Sequence, residues 1–199
     1  MQYTKSIKII TCNVNGLGNP IKRSKIMAKL KRKEIDVAVL HLPDPEHEKL
    51  KRWGFNQYSS SYRHGSKRGV VIFILRKLNF VCTYVKKDPH GRYVLISSHL
   101  QVALVSVNVR LHATLEHQKH ATQEKKKVTK NIQLMRELGL SDIWRDLNPT
   151  KRDFSHLHSV YSWLDYYLMF QRDMCRVTNC STGIMDLSDH APVECNIGF

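Results

Sequence analysis

Residues 69–75 read Gly-Val-Val-Ile-Phe-Ile-Leu, a run without a single polar side chain. So short and so apolar a run must be a core strand, and similar runs recur around it. Residues 6–12 alternate and are rich in Ile, which predicts a buried strand. Residues 35–40, Ile-Asp-Val-Ala-Val-Leu, predict a second. Residues 53–60, 80–86, 92–99 and 102–109 predict further strands at regular spacing, joined by polar turns such as Asp88-Pro89-His90-Gly91. Antiparallel meander pairing is the expectation for them. Residues 166–170 and the apolar stretch 192–197 predict two more strands. Pro20 starts a helix that reaches residue 33, with Ile26, Met27 and Leu30 on its apolar face. Lys22, Lys25, Lys29, Arg32 and Lys33 form a mostly solvated face. No internal repeat is visible. A chain of 199 residues predicts one domain, 1–199, long enough to bury a proper core.

Charge narrows the partners. The chain carries 32 Lys+Arg against 17 Asp+Glu, a formal charge of +15. That balance favours polyanions, nucleic acid before anionic membrane. The turn 61–68 concentrates part of it in Arg63, His64, Lys67 and Arg68. No stretch approaches the ~20 apolar residues of a membrane span, and no signal peptide is expected from the opening residues. The five cysteines, Cys12, Cys82, Cys175, Cys180 and Cys195, are odd in number and include no C-x-x-C. They predict reduced thiols in a nuclear or cytoplasmic setting, with neither a disulfide framework nor a structural zinc site.

Residues 111–130 break the pattern. They hold His112, Glu116, His117, Lys119, His120, Glu124 and Lys125 to Lys127 with little apolar content. The segment reads as exposed, part helical and poorly ordered. Its three histidines match no standard zinc spacing. With no buried strand there, 102–109 is expected to present an open edge.

Three short stretches carry chemistry. Asn13-Val14-Asn15-Gly16 ends the first strand; two Asn before a Gly read as a turn, and the functional reading is that Asn13 presents its amide at the mouth of a cleft. Tyr161-Ser162-Trp163-Leu164-Asp165 lies in the last third, and Ser188-Asp189-His190 stands just before the final strand. A His is the side chain best suited to move protons near neutral pH, and a neighbouring carboxylate can orient it or bind a metal. In this order, a strand ending in Asn-x-Asn-Gly, then Ser-x-x-Asp, then Ser-Asp-His resembles the endonuclease/exonuclease/phosphatase superfamily. The nearest likeness is to the endonuclease domain of LINE-type non-LTR retrotransposons. The decapeptide 140–149, Leu-Ser-Asp-Ile-Trp-Arg-Asp-Leu-Asn-Pro, is similar to a segment that packs under the active site of that domain, with Trp144 in the core.

The resemblance implies an α/β sandwich of two packed, mostly antiparallel sheets flanked by helices. It implies a magnesium-dependent DNA endonuclease that nicks target DNA for retrotransposition. In such a site the magnesium polarises a phosphodiester and steadies the leaving oxyanion. His190 would bond the phosphoryl oxygen, held by Asp165. Asp189 would lie near the metal or the leaving group, and Asn13 would touch the metal shell or the phosphate. Arg63, Arg110, Ser155 and Ser162 are the nucleic-acid-binding candidates. Arg110 stands where the family places a Tyr that contacts the scissile phosphate, and Ser155 takes a Thr place.

The departures fall on chemistry. The family's Gln-Glu step after the second strand, whose Glu holds the magnesium, is missing where Leu40 runs straight into His41-Leu42-Pro43. The Asn-x-Tyr-Ala-Pro and Gly-Asp-Phe-Asn segments are missing around 110–128. The sequence therefore predicts an endonuclease by descent that is catalytically impaired, binding DNA weakly and with little sequence choice. A basic nucleic-acid-binding module without turnover and a translated relic are the alternatives.

Overall fold

A computed structural model describes residues 6–41, 54–61, 69–87, 93–98, 104–107, 137, 139–151, 156–157, 161–162, 168–184 and 186–198. The strands, in chain order, begin with β1 (Ser6–Asn13), β2 (Val37–His41), β3 (Phe55–Ser61) and β4 (Gly69–Leu75). β5 (Cys82–Lys87), β6 (Tyr93–Ser98), β7 (Leu104–Val107) and β8 (Leu140–Asp142) follow. The short β9 (His156–Leu157) and β10 (Tyr161–Ser162) precede β11 (Leu168–Phe170), β12 (Val177–Thr182) and β13 (Val193–Gly198). Helix α1 spans Pro20–Arg32 and α2 spans Ile143–Leu147.

Among the described residues one sheet has six strands in the order β12-β13-β1-β2-β4-β3, a second has five in the order β5-β6-β7-β11-β8, and β9 and β10 form a two-stranded pair. In the first sheet β1 and β2 run parallel and the other pairs are antiparallel. A parallel pair needs a crossover, and α1 supplies it. Asn19 caps the helix, its Oδ1 accepting from the amides of Ile21 (2.9 Å) and Lys22 (3.2 Å), and Pro20 sits where no amide is needed.

The molecule is layered as α1, six-stranded sheet, five-stranded sheet. Alternation along each strand divides the side chains between the two interfaces. Ile9, Val37, Val39, Val70, Ile72 and Ile74 pack toward Val94, Ile96 and Met169 of the second sheet. Ile10, Cys12, Ala38, Leu40, Val71 and Phe73 pack toward Ile26, Met27 and Leu30 of α1. β4 is buried on both faces, which is why its sequence shows no alternation. Trp144 lies fully in the inter-sheet core, as expected.

Two expectations need correction, and a strand and two ion pairs were not foreseen. The meander holds for β5-β6-β7, but β7 is no open edge: β11 pairs with it through Leu168 and Val105. The chain closes that edge with a later strand. β12 was not expected, because Cys180 is the single buried residue in a mostly polar stretch on the sheet's edge. Two of the five cysteines are not thiols. Cys180 and Cys195 are direct register partners on β12 and β13, with Cα atoms 4.2 Å apart, and are joined by a disulfide. Finally, the face of α1 expected to be mostly solvated also carries two ion pairs. Lys29 pairs with Asp186 at 2.5 Å and Lys33 pairs with Glu194. The expectations for 62–68 and 111–130 lie outside the described residues.

Candidate functional site

Asn13 is the last residue of β1, and its backbone is pinned on both sides. β2 lies beside it in register with His41. On the other side, the chain before β13 brings Ser188, whose hydroxyl donates to the Asn13 carbonyl at 2.6 Å. The same hydroxyl oxygen lies 3.0 Å from Asp189 Oδ1 and accepts the His190 amide at 3.3 Å. A hydroxyl has one proton, and the shorter contact, to Asn13, takes it. Ser188 therefore stitches the two candidate segments together through one side chain.

The Asn13 side chain then meets His190, with Nδ2 3.0 Å from Nε2. The amide's orientation is fixed independently, because Asn13 Oδ1 accepts the Asn15 amide at 3.1 Å. Nδ2 therefore faces the ring and donates, so Nε2 accepts and Nδ1 carries the proton of the neutral imidazole. Asn15 and Gly16 make this reversal with positive φ, 45° and 92°, which suits Asn and Gly. His190 is buried, while Asn13 and Asp189 are half-buried.

The loop that carries these residues is tied to α1. Partial desolvation pushes the Asp186 carboxyl up, but the Lys29 hydrogen bond and charge outweigh it and hold it below the ordinary carboxylate value. At the mouth, Lys22 Nζ donates to the Asn15 carbonyl at 3.4 Å and Arg23 Nη1 to the Leu17 carbonyl at 2.8 Å. Behind the loop a cavity of about 30 Å³ lies among Ile10, Cys12, Leu30, Leu40, Leu187 and Pro192. Lys29, Asp186, Ser188 and His190 also line it, and its size suits a water or two.

Of the sequence candidates, the structure brings Asn13, Asp189 and His190 together. Ser162 lies in the β9–β10 hairpin opposite His156, and its side chain is outside the description. Asp165, Arg63, Arg110 and Ser155 lie outside the described residues. The sequence reading passed over His41. It ends β2 in register with Asn13 and is buried. The signal was the parity of the strand: two residues on from Val39, it shares that residue's face.

Of the described residues, Asn13 and Asp189 bring side-chain oxygens at this end of β1. Magnesium wants several oxygen ligands in near-octahedral order. Among the described residues no group of three His, Cys, Asp or Glu side chains converges on one point. Beside Asn13 the position in register is an imidazole, His41, rather than a carboxylate.

Two packed sheets, one with a parallel β1–β2 step whose C-terminal end meets the Ser188-Asp189-His190 loop, make a fold shared with solved AP endonucleases and a 3′ phosphatase. No family model matches the sequence. The fold is similar to the AP endonuclease LMAP from Leishmania major, with TM-score 0.77 at 16% identity over 98% of this chain and 89% of that one. It is similar to the 3′ phosphatase NExo from Neisseria, solved with a product DNA hairpin, with TM-score 0.73 at 16% identity over 97% and 100%. It is also similar to the endonuclease domain of TRAS1, a telomere-specific non-LTR retrotransposon, with TM-score 0.65 at 12% identity over 98% and 99%.

Proposed function

We propose that this chain is by descent a DNA endonuclease, a phosphodiester hydrolase of a LINE-type retrotransposon, and that it is catalytically impaired. The observation that carries the descent is the Asn13–His190 pair, 3.0 Å apart at the end of β1 and held by Ser188. An amide donor and an imidazole that meet at one point are suited to grip a phosphate oxygen and to hold a proton beside it. Their meeting across a sequence separation of 177 supports retention of an ancestral site.

Impairment follows from what surrounds the pair. The sequence has no Gln-Glu step after β2, where the resemblance expects a carboxylate, and a missing acid–base or positioning group costs about 10²–10⁴ in rate. What remains is a basic protein, +15, with a phosphate-gripping wall. Its reading is weak DNA binding with little sequence choice, in the nucleus or cytoplasm. The test is nicking of supercoiled plasmid with magnesium. The unaltered protein should match a no-enzyme control. Nicking that His190→Ala abolishes would show that the chain has kept its chemistry.

A further inference from the structure

We infer that the C-terminal end of β5 is a second contact for duplex DNA, at which Lys86 and Lys87 hold the backbone about six base pairs away from the Asn13–His190 end. The inference rests on the proposed DNA partner and deepens that reading.

Placement comes first. Val70, early in β4, pairs with His41 at the site end, and Ile74, late in β4, pairs with Val37. β4 therefore runs away from the site, and the single turn Arg76–Leu78 lies at the far end. Residues 79–81 join that turn to β5. So short a link spans at most about 14 Å, against ~23 Å for β4 itself, so β5 starts toward the far end. The strand directions agree. β12 starts at the far end, where Val177 pairs with Ile197 and Ile197 with Ile7, and Gln171–Arg176 joins it directly to β11. β11 therefore runs toward the far end. β7, β6 and β5 alternate in direction from it, which turns β5 back toward the site. Lys86 and Lys87 close that strand. Three or four strand spacings of ~4.8 Å and one sheet spacing of ~10 Å separate its tip from Asn13, on the order of 20 Å.

Exposure and charge come second. β6 packs on β3 and β4, and among the described residues β3 is the outermost strand of its sheet. β5 lies one strand further out than β6 and overhangs that sheet, so Thr83 to Lys87 are all exposed. Residues 76–87 carry Arg76, Lys77, Lys86 and Lys87 and not one carboxylate. Lys77 pairs with Asp36 at the far end, at 3.5 Å, while Lys86 and Lys87 stand together at the other. Lys87 pairs in register with Val94 and shares its inter-sheet side, and Lys86 takes the opposite face. The tip therefore presents charge on both faces of the strand. Tyr84, 52% exposed, adds a phenol on the face of Lys86 that a phosphate or sugar can use. On the other flank of the site, α1 brings Lys22 and Arg23 to the mouth. A duplex laid across the site end meets cations on both sides, and its regular phosphates complement them.

The first experiment needs no variant. Lysines are acetylated at low salt with and without a duplex of ~20 base pairs, long enough to span the site end, and each position is quantified by mass spectrometry. The duplex should slow acetylation of Lys86 and Lys87 several-fold and leave Lys77, at the far end, unchanged. Equal protection of all three, or of none, overturns the inference. The second experiment measures duplex binding by fluorescence anisotropy against salt. Lys86→Gln with Lys87→Gln should flatten the log–log slope by about 2, at about 0.9 per lysine, and weaken binding at least tenfold at ~50 mM salt. Arg32→Gln with Arg172→Gln removes the same charge at the far end and should leave the slope within ~0.5 of the unaltered protein. A slope that ignores the lysine pair, or falls equally with the arginine pair, overturns the inference and leaves the DNA reading intact. So do lysine variants that bind DNA unchanged but self-associate, since the pair would then guard an open strand edge. Absence of duplex binding by the unaltered protein at low salt removes the DNA reading itself, and the inference with it.

Discussion

Asn13 Nδ2 donates to His190 Nε2 at 3.0 Å, and the Asn15 amide fixes which end of the Asn13 side chain does so. This bond joins the end of the first strand to the approach of the last. Asn13→Ala removes the donor while the ring stays buried, so the cost is that of desolvation at Nε2 as well as of a lost bond. The expected loss is about 1–3 kcal/mol in urea-induced unfolding. A loss within ~0.5 kcal/mol, the ordinary scatter of a neutral surface change, would mean that the pair is not formed in solution.

DNA binding should be dominated by salt. Each phosphate neutralised releases counterions, so log K should fall linearly with log salt at a slope of about −0.9 per phosphate contacted on duplex DNA. Scrambling the duplex sequence should change the affinity little, because phosphate contacts carry no sequence information. A flat salt profile, or a strong preference for one sequence, would contradict this reading.

Much of the layered core was legible in the residues, and the reasons differ by element. The run 69–75 announced β4 because both its faces are buried and nothing polar is tolerated on either. Ile26, Met27 and Leu30 announced the buried face of α1 through helical spacing. β12 escaped because its outer face is polar, its inner face is mostly half-buried, and one buried Cys makes no pattern. The fate of β7 escaped because pairing with β11 joins segments far apart in sequence. Asn13 and His190 were visible through resemblance, not through spacing. His41 drew no notice until the register set it opposite Asn13.

The cysteines give a chemical count. Cys180 and Cys195 are bridged, so Cys12, Cys82 and Cys175 remain as thiols. Denatured, unreduced protein should titrate three thiols, and five after reduction. In the native state a bulky maleimide should label Cys175, which is exposed, well before Cys12, which is buried. Five thiols without reduction would mean that the two strands face each other with thiols unbridged.

The last prediction concerns Asp142, at the junction of β8 and α2. Burial pushes its carboxyl from 3.8 up to about 6, and the nearby Arg145 amide and charge and the Trp144 amide pull it down without offsetting that. Its Oδ1 is buried with no hydrogen-bond partner among the described residues. The folded state therefore holds a proton on this group more tightly than the unfolded chain does. Stability from this source is full below pH about 4 and is lost as pH rises through about 6. A shift of this size corresponds to roughly 3 kcal/mol as an upper bound, at 1.36 kcal/mol per unit. Asp142→Asn keeps the shape and cannot ionise, so it should stabilise the protein at pH 7 by about 1–3 kcal/mol and have little effect at pH 4. Urea unfolding of both proteins across that range checks it. Equal stability at pH 7, or a larger gain at pH 4 than at pH 7, would show that Asp142 is solvated or partnered in solution.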